Sequence, residues 1–153
     1  MNMVNITEEL EVTADEISNK REPTSALRMS AETKIGVFIG ALYLFLGVLL
    51  GAFGAHALKD TLSEYQMGIL QTGIKYQLIH GVALLMLGVL HSLYRKRLFY
   101  IAIICVAIGV FVFSFSLYAI AFSGVSSLGI ITPIGGVFLI LGWLFTMYGV
   151  VRK

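Results

Sequence analysis

Side chains able to bind a ligand or carry a proton are few in this chain, and most lie within long apolar segments. Tyr76 and Gln77 precede His80 by four and three residues, so the three side chains share one face of a helix. Five more polar residues fall at a similar depth in other apolar segments or at their ends: His56, Ser114, Ser116, Tyr118 and Thr132. The eight together form a candidate polar pocket in one leaflet of a membrane.

Such a set of residues is compatible with several kinds of chemistry. The simplest interpretation is that the side chains hydrogen-bond to one another and fix the register of packed helices. Alternatively, they line a pocket for a small molecule, a lipid headgroup or a quinone, or form a proton path, although the apolar segments contain no Asp or Glu. His56 and His80 could also be axial ligands of a haem, but two imidazoles alone are not a specific signal.

Catalysis is not indicated by these residues. No serine, histidine and acid lie at a shared depth, as a hydrolase triad would require. The single cysteine, Cys105, excludes an internal disulfide and a zinc-binding cysteine pattern. We therefore expect no enzyme activity, no cofactor and no metal. Outside the candidate pocket, His91 beside Arg95 is expected to meet lipid headgroups, and the indole N–H of Trp143 needs a partner within the bundle.

The elements that position these residues follow from composition. Hydrophobic residues make up 58% of the 153 and charged residues 13%, about half the charged share of a soluble domain. A net charge of +2 gives no argument for nucleic acid. Four segments carry no formal charge and have the roughly 20 residues that span a hydrocarbon core: 35–58, 76–94, 98–122 and 130–151. We predict an all-α integral membrane protein, a four-helix bundle in contact with lipid.

The connection between the first two spans has a helical pattern of its own. Leu62, Tyr65 and Ile69 recur at helical spacing, and Ser63 followed by Gln66 resembles a capping box. We predict a short amphipathic helix on the outer membrane surface, between spans one and two. The alternative is that this segment is an N-terminal extension of span two.

The distribution of charged residues separates a tail from the membrane domain and predicts how the protein is oriented in the membrane. Residues 1–33 hold seven of the nine acids, which predicts a mostly disordered cytoplasmic tail before a four-span transmembrane domain at 34–153. Basic residues mark the cytoplasmic side of a membrane protein. Nine lie on the side of the two termini, whereas only Lys59 and Lys75 lie on the other. Both termini are therefore predicted to be cytoplasmic.

Small residues recur every seven positions within each span and predict where the helices pack. Lipid tails are as apolar as leucine, so helices associate through close backbone approach along small residues. We interpret the seams as intramolecular, with a homo-oligomer as the alternative. The predicted helix-packing glycines are Gly40, Gly47, Gly54, Gly81, Gly88, Gly109, Gly135, Gly142 and Gly149.

Several blocks of sequence resemble a known family. Gly51-Ala52-Phe53-Gly54-Ala55-His56 with Leu58-Lys59 is similar to the signature of the YgdD-like small membrane proteins, a domain of unknown function. The resemblance continues, in order, over about residues 35–150. Its later blocks are Tyr76-Gln77 with His80, Phe113-Ser114, Ser116-Leu117-Tyr118, Thr132-Pro133-Ile134-Gly135-Gly136 and Gly142-Trp143.

The resemblance implies a bacterial inner-membrane protein of four spans and implies no activity. Phe115 departs from the family pattern, which usually has glycine there, and its bulk is expected to close a gap or a pocket beside span three. The long N-terminal tail is a second departure. We predict a non-enzymatic structural or accessory subunit of a membrane complex. The alternative is a binder or transporter of a small molecule, lipid or quinone that uses the polar pocket.

Overall fold

Four long α-helices account for most of the chain in the computed structural model, which describes Thr13 and residues 29–152. No strand occurs within this part of the chain. Each α-helix, by length and composition, can cross a membrane, as predicted. The helices are α1 (Ala31–His56), α2 (Glu64–Tyr94), α3 (Arg97–Ser123) and α4 (Thr132–Val151), with a 3₁₀ helix at Ser126–Ile130 before α4.

Local sequence explains where these helices begin and end. The Ser30 hydroxyl accepts a hydrogen bond from the backbone N–H of Thr33 and caps α1. Ser63 and Gln66 form a reciprocal capping box at the start of α2. Gly124 ends α3 in the left-handed conformation at φ 72°, which glycine adopts without a steric penalty.

The prediction of a separate surface helix between the first two spans is wrong. The capping box at Ser63 starts a single helix of 31 residues that continues to Tyr94, so the segment is an N-terminal extension of span two. No proline interrupts it, and Gly68 and Gly73 are tolerated within the helix. At about 1.5 Å per residue, α2 is longer than the roughly 30 Å hydrocarbon core.

Helix α1 begins within the last residues of the segment assigned to the tail. Ala31–Thr33 already belong to α1, because Ser30 caps the helix there. Most of the predicted tail, residues 1–28 apart from Thr13, lies outside the described residues.

The helices α2 and α3 form the centre of the bundle. Helix α1 packs mainly against α2, and α4 packs mainly against α3. The buried core between them is mainly aliphatic and includes Leu84, Leu87, Ile103, Val106 and Leu139, together with Tyr43. As a result, α1 and α4 flank the central pair and leave much of their apolar surface facing outward.

Glycines lie where the helices approach most closely. A Cβ on Gly40 would lie 2.8 Å from the carbonyl oxygen of Gly81, which shows how near the α1 and α2 backbones are. The same holds between α3 and α4, where a Cβ on Gly142 would lie 2.5 Å from Val106 Cγ2 and one on Gly109 2.7 Å from Leu139 Cδ2. Further close contacts are made by Gly47, Gly88, Gly135 and Gly149.

Candidate functional site

A buried chain of hydrogen bonds joins the three helices α1, α2 and α3. Gln77 is fully buried, and its Nε2 donates to the carbonyl oxygen of Tyr43 at 2.8 Å. Its Oε1 accepts from the Tyr118 hydroxyl, also at 2.8 Å. The Tyr43 hydroxyl then donates to the carbonyl oxygen of Ala107 at 2.8 Å. These hydrogen bonds therefore connect α1 to α3 both directly, through the Tyr43 hydroxyl, and indirectly, through Gln77 on α2.

Tyr43 was missed by the sequence analysis. It lies in the middle of the first span, and its side chain is only 7% exposed. Its hydroxyl is a polar group inside an apolar helix, the same signal that identified Tyr118. Tyr43 could have been identified by this criterion. It was overlooked because no other polar residue lies three or four positions from it on the same helix face.

His80 accepts a hydrogen bond from Trp143, whose indole N–H was predicted to have a partner within the bundle. Nδ1 of His80 lies 2.9 Å from the carbonyl oxygen of Tyr76, one turn earlier. A carbonyl only accepts, so Nδ1 carries the proton. Nε2 then accepts the indole N–H of Trp143 on α4 at 3.4 Å. The imidazole is a neutral Nδ1–H tautomer, and a metal or haem iron could bind Nε2 only by displacing Trp143.

Tyr76 belongs to an aromatic stack beside the same histidine. Its ring centroid lies 5.8 Å from that of His80 and 4.4 Å from that of Phe113. Tyr76 remains 39% exposed, so it covers the outer side of the histidine. The stack joins α2 to α3 next to the contact with Trp143.

Ser116 and Thr132 form a third, separate contact. Ser116 Oγ donates to the carbonyl oxygen of Phe113 at 2.8 Å and lies 2.8 Å from Thr132 Oγ1. The serine has one proton and uses it on the carbonyl, so Thr132 donates to the serine oxygen. This pair fastens the start of α4 to α3.

Ser114 is buried without a hydrogen-bond partner for its Oγ among the described residues. A Cβ on Gly73 would lie 3.3 Å from the Ser114 carbonyl oxygen, so α2 and α3 nearly touch here. The small size of Ser114 permits that approach. Its hydroxyl takes no part in the network.

Two of the residues picked out in the sequence lie apart from this layer. His56 ends α1 and is exposed, away from His80. Phe115 is 39% exposed and packs on Phe111 and Tyr118, with ring centroids 4.7 and 5.7 Å away. The aromatic ring therefore lies on the partly exposed surface of α3, against Phe111 and Tyr118.

The opposite end of the bundle carries a polar contact that the sequence analysis did not find. Thr33 is fully buried, and its Oγ1 lies 3.0 Å from Nδ1 of His91. His91 is itself buried, so the expectation that it meets headgroups is wrong. Near it, Lys96 Nζ donates to the carbonyl oxygens of Gly149, at 3.0 Å, and Arg152. A lysine at this position is favourable because the carbonyl end of a helix is partially negative.

The cavities do not coincide with the eight predicted residues. A groove of about 370 Å³ lies between α1 and α2 and is lined by none of the eight. A depression of about 390 Å³ beside the 3₁₀ helix is lined by Thr132 alone among them. Among the described residues, no group of three or more His, Cys, Asp or Glu could hold a metal ion. The polar layer thus consists of paired groups within the helix packing.

Four apolar helices with paired polar groups between them define a multi-pass membrane protein. Residues 50–136 match the family described as Protein of unknown function (DUF423). The chain belongs to this family, as its resemblance to the YgdD-like proteins predicted. The family description indicates no biochemical activity.

Relatives match over most of the chain. The UPF0382 inner membrane protein YgdD of Escherichia coli K12 is 38% identical over 116 residues, which are 76% of this chain and 88% of that protein. A UPF0382 membrane protein of Staphylococcus epidermidis is 40% identical over 111 residues, 72% of this chain and 90% of that protein. The comparison with solved structures gives no match.

Proposed function

We propose that this protein is a non-catalytic accessory subunit of a membrane complex, which acts through its outward-facing helices. The observation that carries the proposal is the pairing of the buried polar groups: both ring nitrogens of His80 and both polar atoms of Gln77 are engaged within the chain. A reaction or a transport path through this layer would have to break several of these hydrogen bonds.

The flanking helices supply the surface for such contacts. On α1, Phe38 and Phe45 are 68% and 64% exposed; on α4, Ile140 and Leu144 are 61% and 50% exposed. These faces lie on opposite sides of the central α2–α3 pair. An accessory subunit would use one flank for its partner and leave the other to lipid.

Photo-crosslinking in native membranes tests this proposal. A photoreactive amino acid is placed at residue 38 or 45 on α1 and, as the matched set, at residue 140 or 144 on α4. We expect a discrete adduct with another membrane protein from one flank only, and copurification of the same protein after mild detergent extraction. Lipid adducts alone from both flanks, together with a monomer free of companions, would refute the proposal.

The alternative function, a small-molecule or quinone binder at the polar layer, makes a different prediction. His80→Ala would then abolish binding or flux while the fold stays intact. A loss of stability with no ligand effect supports the structural role instead.

We further propose that the protein lies in the bacterial inner membrane with both termini cytoplasmic. Support comes from the basic residues at one end of the bundle, where the α2–α3 turn lies beside the start of α1 and the end of α4. The test is labelling of single cysteines by a membrane-impermeant maleimide in intact cells, in a Cys105→Ala background. Asp60→Cys should react and Arg97→Cys should not; the reverse pattern would overturn this orientation.

A further inference from the structure

The groove between α1 and α2 is a separate feature from the polar layer. It has a volume of about 370 Å³ and a mostly apolar lining that includes Gly51, Gly54, Leu70 and Ile74. Gln71 and Lys75 also line it, and both are exposed at its edge. An apolar cleft with one cation at its margin suits an amphiphile with an anionic head.

The two glycines of the groove differ from those that bring helices together. A Cβ on Gly40 or Gly47 would lie within 2.8 Å of α2 atoms. One turn further along α1, a Cβ on Gly51 would meet only Ile74 Cγ2, at 3.9 Å, and one on Gly54 only Leu70 Cδ2, at 3.4 Å. Helix packing therefore does not require glycine at 51 and 54. Their missing side chains instead leave the groove open.

Lys75 lies close enough to the edge of the hydrocarbon core for its side chain to reach lipid phosphates. Gly51, which faces Ile74, is five residues before the end of α1, or about 8 Å along the axis. Helix α1 is about 39 Å long and so exceeds a hydrocarbon core of about 30 Å by several ångströms at each end. Lys75 is thus just inside the edge of the core, and its long side chain reaches the interface.

The charge of Lys75 has no partner within the described part of the chain. No hydrogen bond or ion pair joins it to another described residue. Glu64, the acid on the same helix, is 11 residues away, about 16 Å along the axis. The ammonium group is therefore available to an anion at the membrane surface.

We propose that this groove is a binding site for a phospholipid. The phosphate contacts Lys75 Nζ, which extends toward the membrane surface, and one acyl chain runs toward the bilayer centre past Gly51, Ile74 and Leu78. The phosphate supplies the negative charge that a lone interfacial lysine attracts. A neutral quinone would fill the apolar cleft but leave that charge unmatched. This site is independent of the proposed accessory role.

Native mass spectrometry of the purified full-length protein, with phosphorus analysis of the extracted lipid, tests the proposal. We expect the parent protein to retain at least one phospholipid per chain, and a variant with this groove filled to retain one fewer. Gly51→Leu fills the groove and should lose the lipid. Gly136→Leu is the matched control, because a Cβ there has similar clearance, 4.0 Å to Phe113 Cδ2, outside the groove. Equal amounts of bound phospholipid in Gly51→Leu and Gly136→Leu would overturn the proposal.

The lysine gives a second readout that does not depend on groove filling. Lys75→Gln should weaken retention about fivefold, as expected for one interfacial cation, and Lys75→Arg should restore it. Lys59→Gln, on the same side but outside the groove, should change nothing. If Gly51→Leu fails to fold, equal retention in Lys75→Gln and Lys59→Gln refutes the site, as does a retained molecule without phosphorus.

Discussion

The indole N–H of Trp143 on α4 donates to Nε2 of His80 on α2 across 3.4 Å. The contact joins α4 to a helix other than α3, its main packing partner. It also fixes the protonation of the imidazole, because Nδ1 must donate to the Tyr76 carbonyl. This side-chain pair is therefore compatible with only one neutral tautomer of His80 and links α4 to α2.

Fluorescence reports this contact directly, since Trp143 is the only tryptophan. His80→Leu removes the acceptor of the indole N–H, and a less hydrogen-bonded indole emits at shorter wavelength. We expect a blue shift of the emission maximum in detergent or nanodiscs. His56→Leu is the control, as His56 is exposed at the end of α1. Equal spectra for the two variants would contradict the hydrogen bond.

Gln77 is expected to be the polar residue whose loss destabilises the bundle most. Gln77→Met keeps the volume but removes two interhelical hydrogen bonds and leaves the Tyr118 hydroxyl without its acceptor. The free energy of unfolding in mixed micelles should fall by about 1 to 2 kcal/mol. Gln71→Met, exposed on the same helix, should stay within about 0.5 kcal/mol. A smaller effect at 77 than at 71 would count against the network.

Two serines two residues apart on α3 should respond in opposite ways. Ser116→Ala breaks the contact with Thr132 and should lower stability by about 0.5 to 1.5 kcal/mol. Ser114→Ala removes a buried hydroxyl with no partner among the described residues, so stability should be unchanged or higher by up to about 1 kcal/mol. Both are measured by the same micelle unfolding, and a larger loss at 114 would show that its hydroxyl is paired.

Adjacent glycines on α4 give a second matched pair. A Cβ on Gly135 would overlap the Phe113 backbone, whereas one on Gly136 meets only Phe113 Cδ2 at 4.0 Å. Gly135→Ala should therefore cost about 1 to 3 kcal/mol through overpacking. Gly136→Ala should add up to about 1 kcal/mol, because alanine favours the helix. Similar unfolding midpoints for the two variants would refute the close α3–α4 approach.

Lys96 is expected to stabilise the last turn of α4. Lys96→Met removes the donor to the Gly149 and Arg152 carbonyls, with an expected loss of about 0.5 to 1 kcal/mol. The loss should be local, so hydrogen exchange should quicken at the amides of the final turn of α4. Lys59→Met leaves those carbonyls untouched and should leave exchange there as in the parent protein.

Much of the architecture could be predicted from the sequence. The lengths of the uncharged segments set the four spans, because a hydrocarbon core has a fixed thickness. Five of the eight polar residues picked out in the sequence make side-chain hydrogen bonds in the packed helices: Gln77, His80, Ser116, Tyr118 and Thr132.

The partners of those residues were decided by tertiary structure. Spacing gives the face of a helix that a residue occupies, but the rotation of that helix against its neighbours depends on how all the side chains pack. Tyr43 therefore escaped notice, and so did the pairing of Thr33 with His91, 58 residues apart in the chain. Since Gly81 faces Leu44, His80 is level with the middle of α1, and His56 at the end of α1 lies about 18 Å away along the axis. The packing also left the groove beside Gly51 and Gly54. The sequence by itself determined the number and length of the apolar spans, because a hydrocarbon core has a fixed thickness. Only the packed helices determine which polar side chains lie level with one another and which of them touch.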